Sequence, residues 1–371
     1  MEPSFLRFIA ALCRDAGYGG HDRHSLRSVT ILTLAAIACA PNLAAADEAG
    51  ISFWIPGQFG SLAAAPQQPG WFFADTYYHT SVSAAGDVAL AHEVELGELA
   101  RTATVNVNLS ASVNARVDAD FATLNYVFAT PVFGGQLGLG MTGAAGGNAT
   151  SINGTLTASL GDLTVTRSGS ISNARDGFTD LYPMATLRWN SGVNNFMFYM
   201  TGDIPVGTYD SNNLANLGIG HGAIDGGIGY TYFDPTSGHE FSFVTGLTGN
   251  FANTSTDYTN GIDWHFDWGA SQFLTKQWQV GAVGYVYRQL TPDSGQLPIL
   301  GANESQVIGV GPQIGYIFPI GTALQGYVSA KAYWEFDAER RADGWNTWLT
   351  FAISAAPPSS AMMPSKPMYT K

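Results

Sequence analysis

Three side chains that could bind a cation or a polar solute stand at alternate positions of one short segment: Asp263, His265 and Asp267. In a β-strand, alternate side chains share a face and lie about 6.6 Å apart along it. One strand cannot surround a metal ion, because its ligands must converge within about 2–2.5 Å of the ion. The pattern therefore fits either a site completed by neighbouring strands or a polar surface without a site. We favour the second, simpler interpretation and predict no bound metal.

A second set of alternating residues combines phenolic rings with hydrogen-bonding groups. It comprises Tyr285, Tyr287 and Gln289 in one segment and Lys331, Tyr333 and Glu335 in another. An aromatic solute could stack on such rings while its hydroxyl group is hydrogen-bonded. The alternative is interior packing with an ion pair that braces the fold. Both interpretations require these side chains to face the inside of the molecule.

The sequence gives little support for a catalytic function. His221, His239 and His265 fall in different segments, and none lies in a recognisable nucleophile context. The glycine-rich stretch after His221 lacks the following helix that a phosphate-binding loop requires. Both cysteines, Cys13 and Cys39, precede the expected start of the mature chain, which would then have no thiol nucleophile and no disulfide. We predict a protein that is not an enzyme and has no cofactor.

The segments that carry these residues alternate apolar and polar side chains for about ten residues and then turn. The clearest example places Leu324, Val328, Ala330, Ala332, Trp334 and Phe336 on one face and Gln325, Ser329, Lys331, Tyr333 and Glu335 on the other. Many such segments follow one another at even spacing. They predict an all-β fold: a transmembrane, antiparallel, up-and-down β-barrel whose apolar face meets lipid and whose polar face lines a lumen.

The pattern predicts twelve strands. They lie near 71–82, 117–129, 133–145, 181–190, 194–205, 222–234, 239–251, 261–274, 277–290, 305–318, 323–336 and 344–354. Short connections alternate with long ones, as expected of tight periplasmic turns and external loops. The two longest loops are predicted at 83–116 and 146–180. Residues 102–113 and 156–166 inside them also alternate, so fourteen strands are the alternative, but we expect both to be hairpins above the membrane.

Aromatic residues cluster at the predicted strand ends, which is typical of the girdles at the two membrane interfaces. They are Trp189, Tyr199, Tyr230, Tyr232, Trp278, Tyr285, Tyr287, Trp334, Trp345 and Trp348. The competing interpretation is a soluble, exported β-sandwich that binds a ligand. The aromatic residues of such a sandwich would cluster in the middle of its strands.

Residues 1–46 are predicted to be a signal peptide with an upstream extension. Arg23 and Arg27 precede an apolar core, and small residues ending at Ala46 predict cleavage before Asp47. Cleavage removes four arginines and three acidic residues, which leaves 12 basic and 26 acidic residues and a net charge of −14. Binding of nucleic acid is therefore not expected, because it rests on Lys and Arg that neutralise phosphates.

The segment before the first strand lacks alternation but contains Phe53, Trp54 and Phe59. Such an apolar segment with prolines could be a flexible leader, or it could fold into the lumen and restrict it. We favour the second possibility, with these three rings as gating residues. The predicted organisation is a signal region at 1–46, this segment at 47–70, the barrel at 71–355 and a Pro-rich periplasmic tail at 356–371.

Several stretches of the chain carry a family likeness. They are PGQFGSLAAAPQQPGWFF at 56–73, DIPVGTYDSNNLANLG at 203–218, GNFANTSTDYTNG at 249–261, GYVYRQLTPDSG at 284–295, GVGPQIGYIF at 309–318 and WEFDAERRADG at 334–344. In these stretches the chain resembles the outer-membrane barrel family of meta-pathway phenol-degradation proteins, which is similar in outline to hydrocarbon-uptake barrels. Arg340 departs from the family pattern, in which an uncharged residue is expected.

The resemblance implies a channel or transporter of the outer membrane for small hydrophobic or aromatic, phenol-like compounds. It implies contact with outer-membrane lipid and lipopolysaccharide, and it does not imply that the barrel performs a catabolic step. A structural or adhesive outer-membrane barrel without transport is the alternative. The direction of transport and the oligomeric state do not follow from the sequence.

Overall fold

The computed structural model describes residues 52–96, 101–160, 163–295 and 304–357. The predicted signal region with its cleavage site at Ala46 and Asp47, and nearly all of the C-terminal tail, lie outside these residues. Within the described part of the chain, no helix has the length and apolar character needed to cross a bilayer.

The regular structure of the described residues consists of β-strands. They are β1 (Gly70–Leu96), β2 (Arg101–Val127), β3 (Gln136–Leu160), β4 (Leu163–Phe178), β5 (Tyr182–Ser191), β6 (Asn194–Gly202), β7 (Ala223–Phe233), β8 (His239–Asn250), β9 (Tyr258–Thr259), β10 (Asp263–Phe273), β11 (Trp278–Gln289), β12 (Ser294–Gly295), β13 (Gln306–Ile320), β14 (Leu324–Glu339) and β15 (Asp343–Ala355). The two-residue strands β9 and β12 pair with each other at the end of the barrel that carries the long connections.

Twelve strands close into one antiparallel barrel, which confirms the predicted fold class and strand number. The first wall strand, β1, pairs with the last, β15, over the register Phe73↔Ile353 to Ser83↔Asp343. Elsewhere each wall strand pairs with the wall strands that precede and follow it in the chain. The thirteenth strand of the sheet, β4, adds only to one part of β3 and is not a wall strand. A closed cylinder of this kind excludes the two-sheet sandwich.

The two longest predicted loops are instead mostly strand. Strands β1 and β2 stay paired as far as Leu96↔Arg101, and β3 and β4 as far as Leu160↔Leu163. Residues 102–113 therefore belong to β2 itself, and residues 156–160 and 163–166 lie in the paired arms of β3 and β4. The reason is that their alternating Thr, Val and Ser residues continue to favour paired strands beyond the barrel wall. We call the end that carries these hairpins the hairpin end, and the opposite end the turn end.

The outward-facing side chains form an apolar belt around the barrel. Large exposed members include Trp71, Leu124, Leu139, Phe198, Ile228, Phe241, Leu247, Ile314, Val328, Trp334, Leu349 and Phe351. Soluble monomers rarely expose a contiguous apolar surface of this extent, whereas a membrane-spanning barrel requires one. The belt therefore identifies the lipid-facing surface of a transmembrane barrel.

Only part of the aromatic set predicted at the membrane interfaces belongs to this belt. The exposed members include Trp278, Trp334 and Trp345, but Tyr199, Tyr285, Tyr287 and Trp348 are buried inside the barrel. The interface prediction is wrong for these four residues. Strand parity, rather than distance from a strand end, decides which face a ring occupies.

Candidate functional site in the lumen

The nine polar and aromatic residues singled out from the sequence face the inside of the barrel. Strands β10 and β11 are direct neighbours, with the pairs Asp263↔Gln289, His265↔Tyr287 and Asp267↔Tyr285. These six side chains are buried, as are Lys331 and Tyr333 of β14, and Glu335 is half-buried. The structure thus brings together residues that lie more than 70 positions apart in the chain.

Strand β13 separates β11 from β14 and allows their side chains to meet across it. Tyr285 lies opposite Gly309, where a Cβ atom would come within 2.3 Å of the tyrosine ring. Because this glycine has no side chain, Tyr285 reaches β14. Its ring centroid lies 4.9 Å from that of Tyr333, and its hydroxyl group donates a 2.7 Å hydrogen bond to Glu335 Oε1.

Residues 52–69 run through the lumen from the hairpin end to the turn end. At the hairpin end, Arg341 donates a hydrogen bond to the hydroxyl of Ser52. At the turn end, Gln67 exchanges hydrogen bonds with the side chain of Gln136 and accepts one from Arg188. Strand β1 then begins at Gly70. We call residues 52–69 the lumen segment.

A carboxylate and an ammonium group hold the middle of the lumen segment. Asp267 accepts hydrogen bonds of 3.1 Å from the amides of Gly57 and Phe59. Lys331 Nζ donates to the carbonyl oxygens of Gly57, Gln58 and Phe59 at 2.7, 3.1 and 3.2 Å. Both charged side chains therefore find their partners on the main chain of the segment. A buried charge requires such compensation.

Trp54 occupies a buried slot lined by aromatic and polar groups. Its indole ring stacks on His265, with 3.4 Å between centroids and 13° between planes, and lies 6.1 Å from the Tyr199 ring. Behind it, His265 Nε2 is 3.0 Å from Asp225 Oδ2 and 3.1 Å from the Tyr199 hydroxyl. Trp54 Nε1, His265 Nδ1 and Asp225 Oδ1 have no hydrogen-bond partner among the described residues. The slot therefore combines ring-stacking surfaces with unused polar atoms.

The other two predicted gating rings pack close to this slot. Phe59 lies 5.9 Å from Trp54 and 5.9 Å from Tyr199, between ring centroids. Phe53 lies 6.0 Å from Tyr182 of β5. The three rings thus belong to one aromatic cluster inside the barrel.

Towards the turn end the wall again binds main-chain atoms of the lumen segment. The amide of Leu62 donates to Glu240 Oε1 at 2.9 Å and to Ser242 Oγ at 3.0 Å. The amide of Ala64 donates to Thr231 Oγ1 at 3.0 Å. The sequence did not single out these wall residues, or Tyr199 and Asp225, as members of the site. Each occupies an inward-facing position in the alternation of its strand, but together they form no recognisable cluster in the sequence.

A pair of buried carboxyl groups lies beyond the strand ends at the hairpin end. Asp180 accepts hydrogen bonds from the amides of Gly207 and Ile219, and thereby ties the connection between β6 and β7 to the connection between β4 and β5. Asp203 is 8% exposed, and neither of its carboxylate oxygens has a partner among the described residues. Burial, reinforced by the negative charge of Asp180, raises the pKa of Asp203 to about 8. Burial also raises the pKa of Asp180.

An open space at the hairpin end lies away from these residues. A cavity of about 560 Å³ at the hairpin end is lined by parts of β1, β2, β3, β4 and β15, including Arg116, Thr150, Asn173 and Trp345. None of the nine lumen residues lines it. We place the candidate site in the lumen nevertheless, because the buried charges and stacked rings are there. No group of three or more His, Cys, Asp or Glu side chains in the described ranges is arranged to bind a metal.

Comparisons with known proteins give one family. The model of the family described as "Putative MetA-pathway of phenol degradation" matches residues 100–351, more than half of the chain. No curated protein sequence aligns significantly with this chain.

Solved structures with a similar backbone fold include an outer membrane channel from Pseudomonas putida F1. Its sequence identity to this chain is 12% and the TM-score is 0.48; the alignment covers 82% of this chain and 100% of that one. A FadL homologue of Pseudomonas aeruginosa has 11% identity, a TM-score of 0.35 and coverage of 85% and 98%. The translocator domain of the autotransporter NalP of Neisseria meningitidis has 11% identity, a TM-score of 0.28 and coverage of 79% and 91%.

Proposed function

The chain belongs to the family described as "Putative MetA-pathway of phenol degradation", and on this premise we propose that it is a channel of the outer membrane for small hydrophobic or aromatic, phenol-like compounds. Passage is passive and runs through the lumen, and the lumen segment restricts it. The protein performs no chemical step on the solute. The family name motivates the substrate class, and the lumen supplies physical support for it.

The position of Trp54 is the observation that carries the proposal. A fully buried indole ring stacked on His265 marks a place where the lumen wall accepts a flat aromatic ring. Stacked ring pairs contribute about 0.5–1.5 kcal/mol beyond the area they bury. The Tyr199 hydroxyl and the Asp225 carboxylate lie beside the slot and can hydrogen-bond a phenolic hydroxyl group. Once Trp54 has moved away, a phenol-like solute would stack its ring on His265. Its hydroxyl group would hydrogen-bond to Tyr199 or Asp225.

The charges inside the barrel favour neutral solutes over anions. The acidic side chains here outnumber the cationic ones. Five are acidic: Asp225, Asp263, Asp267, Glu240 and Glu335. Three are cationic: the buried Lys331 and the half-buried Arg188 and Arg341. An aromatic carboxylate entering this region would meet unfavourable electrostatic interactions. Neutral phenols would not, so they are the better match.

Liposome swelling tests the proposal in the full-length protein. Trp54→Ala empties the slot and weakens the hold on the lumen segment, so phenolic solutes should enter several-fold faster than through the unmodified protein. Trp71→Ala, which removes a lipid-facing ring of the same type, is the matched control and should leave entry unchanged. Absence of solute-dependent swelling in all three proteins would contradict the channel and favour the structural or adhesive barrel.

The location is tested separately. The apolar belt requires a membrane, so the protein should fractionate with outer-membrane lipid and lipopolysaccharide. It should also migrate faster on a gel before heating than after boiling. Recovery as a soluble periplasmic protein would rule out the proposed location.

A further inference from the structure

The cavity of about 560 Å³ at the hairpin end is built from three neighbouring rows of paired residues. Each row crosses β15, β1, β2, β3 and β4 in that order. The first row includes Trp345, Ser81 and Arg116, and the third includes Asp343, Ser83 and Asn114. Because alternate positions of a strand share a face, the side chains of the first and third rows lie on one face of the sheet.

The cavity opens on the outside of the barrel. The connection at residues 206–221 packs against the inner face of these strands, where Asn173 of the second row accepts a 3.3 Å hydrogen bond from the amide of Ala215. None of the residues of that connection lines the cavity. Trp345, in contrast, lines it with a ring that is 44% exposed. A ligand would therefore enter from outside, without passing through the lumen.

The lining combines one aromatic ring with many hydrogen-bonding groups. Trp345 is its one large apolar side chain, because the other apolar lining residues are a valine, three alanines and a glycine. The side chains of Ser83, Asn114 and Asp343 make no hydrogen bond to another described residue, so they are available to a ligand. A ligand that fits has one flat apolar face and carries hydroxyl groups around its edge, which donate and accept hydrogen bonds. A pyranose ring has this combination.

A hydrogen-bonded network fixes two of the lining side chains before a ligand arrives. Asp118 accepts hydrogen bonds from the Tyr77 hydroxyl at 2.6 Å and from Arg116 Nε at 2.9 Å. Asp118 also lies 2.7 Å from His79 Nδ1, and the His79 ring contacts the Trp345 ring with 4.7 Å between centroids. Asp118 thus neutralises the guanidinium group and holds the indole ring in place through His79. A neutral ligand would therefore immobilise few further side chains on binding.

We propose that this cavity is a saccharide-binding site, in which a neutral pyranose ring stacks on Trp345 and hydrogen-bonds through its hydroxyl groups to Asp343, Asn114 and Ser83. Its volume lies within the range of about 300–1,000 Å³ that is usual for small-molecule sites. The sugar belongs either to a free saccharide or to the carbohydrate part of a lipid in the outer leaflet, since both present the same ring. The site is separate from the lumen and does not depend on the passage of aromatic solutes.

Saturation-transfer NMR on the full-length protein tests the site. The probes are the methyl glycosides of glucose, galactose and N-acetylglucosamine, and the detergent carries no sugar. Sorbitol, which has the hydroxyl groups of glucose without its ring, is the control ligand. We expect at least one glycoside to bind and sorbitol not to bind. Absence of binding by all three glycosides, or equal binding of sorbitol, would overturn the proposal.

Three variants locate the binding. Trp345→Ala removes the stacking ring and should weaken glycoside binding about tenfold. Trp278→Ala removes an exposed ring at the turn end and should leave binding unchanged. Asn114→Leu replaces a hydrogen-bonding group of the lining with an apolar one, should also weaken binding, and decides the matter if Trp345→Ala does not yield a heat-modifiable barrel. Undiminished binding in a folded Trp345→Ala or Asn114→Leu protein would contradict the assigned site.

A competition experiment identifies the source of the sugar. Displacement of the bound glycoside by added lipopolysaccharide supports the site with a glycolipid as its ligand. Displacement by free oligosaccharides alone supports it with a soluble saccharide. Phenol entry into liposomes should be the same for Trp345→Ala and the unmodified protein, so failure of this site and failure of the aromatic-solute channel can be told apart.

Discussion

Asp267 and Lys331 bind the same tripeptide of the lumen segment, one through its amides and the other through its carbonyl oxygens. The peptide groups of residues 57–59 thus stand between an anion and a cation that would otherwise have to find other partners inside the barrel. Each charge depends on these main-chain partners for compensation, because an uncompensated charge inside the barrel is costly. The position of the lumen segment depends on both residues.

The first prediction concerns this pair. Lys331→Met removes the donor to three carbonyls and should loosen the middle of the lumen segment, because only Asp267 and Tyr333 then hydrogen-bond residues 57–59. We expect faster protease cleavage within residues 52–69 and a lower unfolding temperature. Lys276→Met, at an exposed turn, should change neither measurement. Unchanged cleavage in Lys331→Met would show that the ammonium group does not hold the segment.

The second prediction compares two glycines of the lumen segment. Gly57→Ala combines a left-handed backbone angle with contacts of 3.0 Å to two tyrosine rings, whereas a Cβ atom at Gly60 would lie 3.3 Å from the flexible end of Lys331. We expect Gly57→Ala to displace the segment and to raise the conductance of the barrel in planar bilayers. Gly60→Ala should have a much smaller effect. Similar conductance of the two variants would contradict the fit inferred at Gly57.

The third prediction tests the two faces of β14. Val328 is 38% exposed in the apolar belt, and Ser329 faces the other side of the wall. Val328→Arg should lower the free energy of unfolding by about 2–4 kcal/mol, because its charge meets hydrocarbon. Ser329→Arg should lower it far less, as measured by urea titration in lipid vesicles. Equal losses at both positions would contradict the membrane orientation of the strand.

The fourth prediction is a pH dependence at the hairpin end, beyond the end of β6. Because the folded protein raises the pKa of Asp203 from 3.8 to about 8, the folded state keeps a proton that the unfolded chain releases between these values. The contribution of Asp203 to stability is therefore greatest at low pH and falls as the pH rises towards about 8. Asp203→Asn should remove this fall. The thermal unfolding of both proteins, measured between pH 5 and pH 9, should converge at the acidic end and separate at the alkaline end.

The sequence predicted the wall of the barrel better than its contents. Period-two alternation is a local property, so it placed Asp263, Tyr285 and Lys331 on the correct face without any knowledge of their neighbours. The contact between Trp54 and His265 is not local, because a tryptophan does not encode which of many inward-facing groups it will meet. The partners of Asp267 could not be predicted for another reason. They are main-chain amides, which nearly every residue carries, so no residue type marks them in the sequence.

The hairpin strands show a second limit of pattern reading. Residues 102–113 continue the alternation of β2 with no break at the membrane surface, so the sequence does not mark where lipid ends. The apolar belt marks it in the structure, and Trp71 and Leu124 are members of the belt on β1 and β2.

The seam between β1 and β15 has a consequence for biogenesis. Gly70 joins the lumen segment directly to β1, and pairing of β1 with β15 is the step that closes the cylinder. A segment that arrived after closure would have to thread its 18 residues through a finished ring. Thr231, Ser242 and Asp267 lie on strands other than β1 and β15, so they can bind the segment while the sheet is still open. The open sheet can therefore curl around residues 52–69, which then act as an internal template for the cylinder that encloses them.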